Sequence, residues 1–300
     1  MSSSRLELFS RYLDDVAGEE GDSSRIQRMD PVAGSEEDLL AFHTREFVNR
    51  IKNASKSGQG LLDSVDTPAF RGMYEASLFP VGNSLNGLRL IAENKVDHFF
   101  NPVGGLHHAG PDAARGFCVF NDCVIAILLS LNDFGMRSVA YVDIDAHHGD
   151  GVYYVFESDR RVVIGDIHED GRYLYPGTGA ESESGTGSGR GTKMNIALPP
   201  GSGDREFSKA FDRVEDFVRR SKPDMIFFQC GADGLAGDPI TDLRYTAEAH
   251  AYASRKLHLL AHEVCGGRIL AMGGGGYNPA NVSAAWSAIV RELSGQSSKQ

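Results

Sequence analysis

Short apolar runs alternate with amphipathic stretches along most of the chain. Runs rich in β-branched and aromatic residues occupy 98–103, 138–145, 162–168, 193–199, 225–233 and 268–274. Their length and composition predict buried strands. A weaker run lies at 26–33. Between them, apolar positions recur with helical period. Over 206–220, Phe207, Phe211, Val214, Phe217 and Val218 fall on one face, which predicts a helix with one side in the core. Helices are likewise predicted over 35–52, 74–93, 121–131, 247–264 and 279–293. Ser35 suits an N-cap and Pro279 the first helical turn. Strands and helices in alternation predict an α/β fold with a mostly parallel central sheet and helices on both faces.

In such a sheet, ligands bind beyond the carboxyl ends of the strands. The chemistry-bearing residues collect there. Asp145 and His147 end the strand at 138–145, two positions apart, so that in extended backbone they project to one side. Asp233 ends the strand at 225–233 among small residues that permit close backbone approach. Together they make an Asp-His-Asp set, the right number of protein ligands for a catalytic zinc with an open position. Oxygen and imidazole donors without thiolate point to zinc or a similar first-row ion, Fe2+ included.

The adjacent pair His107 and His108 follows the strand at 98–103. Asp143 and Asp150 are not needed as ligands. Each can accept an Nδ1–H bond from one of these histidines, fixing its tautomer and raising its basicity. Two Asp–His pairs beside a metal site supply a general base and a general acid. Gly273 to Gly276 precede Tyr277, with neither a following Lys-Ser/Thr nor a G-x-G-x-x-G spacing. A turning loop that presents one phenol to a developing oxyanion fits better than a phosphate cradle. Phe117, after Gly116, and Tyr175 are candidates for the two walls of a channel around a linear aliphatic chain; the alternative is ordinary core aromatics.

Composition narrows the classes. The formal net charge of −11 excludes nucleic-acid binding through bulk electrostatics. No apolar run approaches the roughly 20 residues of a membrane span, and no signal-peptide pattern opens the chain. Cys118, Cys123, Cys230 and Cys265 form no C-x-x-C pair, which suits reduced thiols and a cytoplasmic location. There is no repeat or domain boundary, so residues 1–300 are expected to form one domain, with 1–25 and 294–300 fraying. The Gly- and Ser-rich stretch 177–191 reads as a surface loop near the site.

The motifs GGLHHAG, RGFCVFND, YVDIDAHHGDGV, YPGTG, QCGADGLAGDP and MGGGGYN, in this order over roughly 26–293, resemble the metal-dependent histone deacetylase family. That family includes bacterial acetoin-utilisation and acetylpolyamine deacetylase relatives. The resemblance implies the arginase-deacetylase fold and hydrolysis of an N-acetyl amide to acetate and an amine. It implies Asp145, His147 and Asp233 as zinc ligands, His108 with Asp150 as general base and acid, and His107 with Asp143 as its electrostatic partner. Tyr277 is implied to polarise the carbonyl. Gly116, Phe117 and Tyr175 would line the channel, and Asp66 would hold the substrate backbone at the rim. It also implies a structural K+ near Asp143, Asp145 and His147.

Some positions depart from the family pattern. A further strand and a His-Pro-x-x-x-x-Arg segment usually precede the first helix, whereas this chain starts after them, near Arg5; an incomplete sheet is therefore expected. Asp166 stands where close eukaryotic relatives carry Ser. Tyr245 stands where many carry Leu at the pocket mouth, which leaves the amine open. The expected function is deacetylation of acetylated lysine in peptides or proteins. The alternatives are an acetylpolyamine amidohydrolase, a two-manganese ureohydrolase and an inactive acyl-lysine binding scaffold. No direct contact with nucleic acid or membrane is expected.

Overall fold

The structure, a computed structural model, describes residues 4–18, 26–63 and 67–295. Six parallel strands form one sheet: β1 (His98–Asn101), β2 (Val139–Asp143), β3 (Val162–Glu169), β4 (Lys193–Leu198), β5 (Ile226–Gln229) and β6 (Ile269–Met272). Their order is β1-β6-β5-β2-β3-β4, unbroken, with β1 at one edge. The register places Asn101 beside Met272, Met272 beside Gln229, Gln229 beside Asp143, and Asp143 beside Asp166. Asn101, Met272, Gln229 and Asp143 stand level at the carboxyl ends of four strands, beside Asp166 within β3, so the loops after these strands leave from one side of the sheet.

Nine α-helices are described: α1 (Ser4–Gly18), α2 (Glu36–Leu40), α3 (Arg45–Ser57), α4 (Met73–Ala92), α5 (Asp122–Asn132), α6 (Asp150–Phe156), α7 (Asp204–Ser221), α8 (Ala247–Val264) and α9 (Pro279–Leu293). Strand side chains alternate between faces. Ala140, Val142, Ile226 and Phe228 point into a core shared with α7, α8 and α9, through Phe207, Phe211, Leu257 and Trp286. Val139, Tyr141, Phe227 and Leu270 point into the opposite core, formed with α3, α4, α5 and α6 through Ile51, Leu88, Ile127 and Phe156. The predicted α/β class, with a mostly parallel sheet covered on both faces, is what forms. The four cysteines are free and buried.

Local differences have physical reasons. The helix predicted over 35–52 breaks in two. Ser35 caps α2 in a capping box with Asp38, but Thr44 starts a second helix by accepting the Phe47 N–H at 3.2 Å. The break turns His43 into the core, where its Nε2 accepts the Asn121 N–H at 3.0 Å. The run at 26–33 is irregular rather than a strand. The expected fraying at the N-terminus does not hold over Ser4–Gly18, which is helical. Phe9 anchors that helix, 4% exposed, with its ring edge-on to Phe100 and Trp286, both at 5.6 Å. Residues 19–25 and 296–300 lie outside the described residues.

Candidate active site

Asp145 and His147 come from the loop after β2, and Asp233 from the loop after β5. All three are buried, and one ligand atom from each lies within 4.8 Å of the others. Nδ1 of His147 is 3.1 Å from Asp145 Oδ1 and 3.0 Å from Asp233 Oδ2. Glycines make this convergence possible. A Cβ on Gly231 would lie 2.0 Å from Asp145 Oδ2, and one on Gly275 would lie 2.1 Å from Asp233 Oδ2.

Backbone and side-chain donors aim the carboxylates. Asp145 Oδ2 accepts from Gly275 N–H at 2.8 Å and from Gln229 Nε2 at 2.9 Å. Asp233 Oδ1 accepts from Ala146 N–H at 2.8 Å. Burial drives His147 towards the neutral form, but the two carboxylates outweigh it and raise the group to about 10. Burial and the charge of Asp145 push Asp233 up to about 6. Both shifts express surplus negative charge converging on one buried point, which is the environment a divalent cation neutralises. The donor set and its electrostatics fit a zinc-type ion.

The two histidines sit beside this set. His108 Nδ1–H donates to Asp150 Oδ1 at 2.6 Å, His107 Nδ1–H donates to Asp143 Oδ2 at 2.8 Å, and their Nε2 atoms are 3.1 Å apart. The pairing agrees with the resemblance. Asp150 is held at the start of α6, a helix that the hydrophobic pattern had not signalled. Burial and the neighbouring charge of His107 push His108 down to about 4. Burial also opposes charge on His107, but Asp143 and Asp145 outweigh it and raise it to about 10. The two imidazoles are therefore pushed in opposite directions, His108 towards the neutral form and His107 towards the charged one.

A small cavity opens onto His107, His108, Asp145, His147, Gly116, Gly275 and Tyr277. Burial and the charges of Asp233 and Asp145 raise the Tyr277 phenol, which stays a hydrogen-bond donor. Asp238 Oδ2 accepts the Tyr277 N–H at 2.8 Å and fixes the backbone there. Phe117 and Tyr175 stand at the opening, 39% and 45% exposed. The Phe117 ring is 5.8 Å from that of Tyr277, and the Tyr175 ring 5.1 Å from that of His108. Gly116 is in the left-handed region, and a Cβ there would lie 2.5 Å from His108 Cδ2.

One expected residue is not brought to this cavity. Tyr245 is 1% exposed and packs against Phe207 at 4.8 Å in the α7-side core, so it does not form the pocket mouth. Asp66 lies outside the described residues.

The hydrophobic pattern also missed residues that organise the site. Gln229 bridges Asp145 and the Gly105 carbonyl. Asp122 accepts the Gly105 and Leu106 N–H groups at 3.1 and 2.9 Å, holding the loop that carries the histidine pair. Buried Arg5 donates to the Gly274 carbonyl at 2.8 Å while its guanidinium lies 5.0 Å over the Trp286 ring. A carboxamide ending a strand and an acid opening a helix are the sequence signals that mark the first two.

Fold and site together define a hydrolase of the arginase-deacetylase fold with a buried cluster of side chains able to hold a metal ion. A family model described as "Histone deacetylase domain" matches residues 1–293. The acetoin utilization protein AcuC of Bacillus subtilis is 38% identical over 274 residues, covering 88% of this chain and 70% of that protein. A probable deacetylase of Archaeoglobus fulgidus is 37% identical over 273 residues, covering 89% and 74%. The solved HD domain of HDA15 superposes with a TM-score of 0.86 at 28% identity, covering 98% of this chain and 82% of that one. The chain belongs to the histone deacetylase family and is a hydrolytic deacetylase.

Proposed function

We propose that the chain is a single-domain, zinc-dependent lysine deacetylase that removes acetyl groups from acetylated lysine side chains in peptides or proteins. The convergence of Asp145, His147 and Asp233 beside the Asp150-bound His108 carries this reading. Asp145, His147 and Asp233 would hold the ion. When bound, a zinc-type ion lowers the pKa of a water to about 7 and polarises a carbonyl.

The chain's own groups do the rest. Neutral His108 takes a proton from the attacking water at Nε2 and returns it to the leaving amine, while Asp150 holds its Nδ1–H. Cationic His107, fixed by Asp143, stabilises negative charge developing nearby. Tyr277 donates its phenol proton in a hydrogen bond to the carbonyl oxygen as charge builds there. Gly116, Phe117 and Tyr175 flank the alkyl chain of the substrate, and Asp66 holds its backbone at the rim. The products are acetate and a free amine.

A structural K+ is part of the reading. A Cβ on Gly149 would lie 2.7 Å from Asp143 Oδ2 and 3.3 Å from Asp166 Oδ2, so two buried carboxylates approach across that glycine. Asp143 is already paired with His107 and Asp166 with His168, so the support for K+ is the family resemblance of this loop. Activity in the cytoplasm is supported by four free, buried cysteines. Among the described residues no helix is long and apolar enough to cross a membrane.

The test is acetate release from acetyl-lysine peptides and from N-acetylputrescine, measured side by side. Faster hydrolysis of the peptides is expected. Turnover of the polyamine alone would overturn the substrate, and hydroxamate binding without any turnover would favour a scaffold.

A further inference from the structure

At the far side of the sheet from the cavity, three histidines meet. His98 opens β1, while His258 and His262 lie one turn apart on the C-terminal half of α8. Nε2 of His98 is 2.9 Å from Nδ1 of His258. The rings of His98 and His262 are 5.4 Å apart between centroids, and those of His258 and His262 are 4.7 Å apart. A ligand nitrogen from each lies within 4.8 Å of the other two.

We propose that His98, His258 and His262 form a second transition-metal site that takes a late first-row ion such as Zn2+, Ni2+ or Cu2+ through three imidazoles.

Several observations support it. The i, i+4 spacing puts His258 and His262 on one helix face. The strand contributes the third ligand, so one ion would tie the edge strand β1 to α8. Nitrogens bound about 2.1 Å from a tetrahedral ion stand roughly 3.4 Å apart. The His98–His258 pair therefore needs to open by only a few tenths of an ångström.

The surroundings are suited to it as well. Gly267 presses against His262: a Cβ there would lie 2.7 Å from its Cε1 and 3.2 Å from the Asp97 Cβ. Asp97 exerts its charge on both His98 and His258, as an outer carboxylate that favours a bound cation. Half-burial of His98 and His258 and exposure of His262 leave an open position for water. Imidazole-only donors favour the late first-row ions over Mg2+ or Ca2+.

The test uses the full chain, stripped of metal and titrated with Zn2+ by calorimetry, alongside the His258→Ala/His262→Ala and His147→Ala variants. Wild type is expected to bind one equivalent more than the double variant, and His147→Ala is expected to keep that equivalent. The single substitution His262→Gln, at an exposed position, is expected to weaken it 10–100-fold without changing the deacetylation rate. Cu2+ added to His147→Ala should show hyperfine coupling from three nitrogens, and Zn2+ should raise the Tm of wild type more than that of the double variant. Equal stoichiometry in wild type and the double variant overturns the proposal. So does a Cu2+ spectrum in His147→Ala with fewer than three nitrogens. Because the readout is a difference in equivalents, failure of the catalytic reading leaves it intact.

Discussion

At Gly275 a single hydrogen in place of a methyl group decides whether a cation can be held. A Cβ there would lie 2.1 Å from Asp233 Oδ2 and 2.9 Å from Asp145 Oδ2. Gly275→Ala is expected to drive the carboxylates apart and lower kcat/KM by about 10²-fold, since an ångström of misplacement has that effect. Tyr277→Phe removes one oxyanion donor and should lower kcat by about 10²–10³-fold with little change in KM. His108 is held at about 4 by burial and by His107. It is therefore already a base at pH 5.5, and the acid limb of kcat/KM is expected to fall below pH 5. A limb near 6.5 would show an unperturbed imidazole.

The chemistry was legible at this scale because Asp145, His147 and Asp233 are scarce residue types at strand ends. Gln229 and Asp122 carry only a weak signal, their place at a strand end and a helix start, because the groups they bind come within reach only after folding. Tyr245 was misplaced for a related reason. Its backbone N–H donates to the Gly234 carbonyl at 3.0 Å. A Cβ on Gly234 would lie 2.6 Å from the Tyr245 ring, so the missing side chain there leaves the ring room to turn into the core against Phe207.

Among the elements, periodicity found the long amphipathic helices α7, α8 and α9 and all six strands, because each shows a wide apolar face or a continuous apolar run. It missed α6, whose seven residues are too short for a face to repeat, and the break between α2 and α3. That break carries a measurable consequence. His43, buried there, is held at about 4 by burial, against 6.5 when the chain is unfolded. The unfolded chain binds this proton first, so stability is complete above pH 6.5 and is lost as pH falls towards 4. Linkage sets the loss at about 2 kcal/mol between pH 7 and pH 5. Urea midpoints over that range should fall for wild type and fall less for His43→Gln. Equal slopes would mean that the His43 ring is solvated.

For the molecule as a whole, parallel topology is what turns scattered motifs into a site. Four strands end level, and their loops deliver Asp145, His147, His107, His108 and Tyr277 to one cavity, with Asp233 against Asp145 and His147. The class of fold followed from strand–helix alternation. The strand order did not, because pairing between β6 and β1, more than 160 residues apart in the chain, leaves no local trace. The charge of −11 is consistent with a site that gathers carboxylates around cations.

In the proposed function, one ion held by Asp145, His147 and Asp233 makes this cavity an amidohydrolase. This is tested most directly by measuring acetate release from an acetyl-lysine peptide before and after the metal is stripped and Zn2+ is restored. Turnover is expected to vanish on stripping, to return with zinc in wild type and not to return in Asp145→Ala. Full turnover by the stripped chain, or by Asp145→Ala, would contradict it.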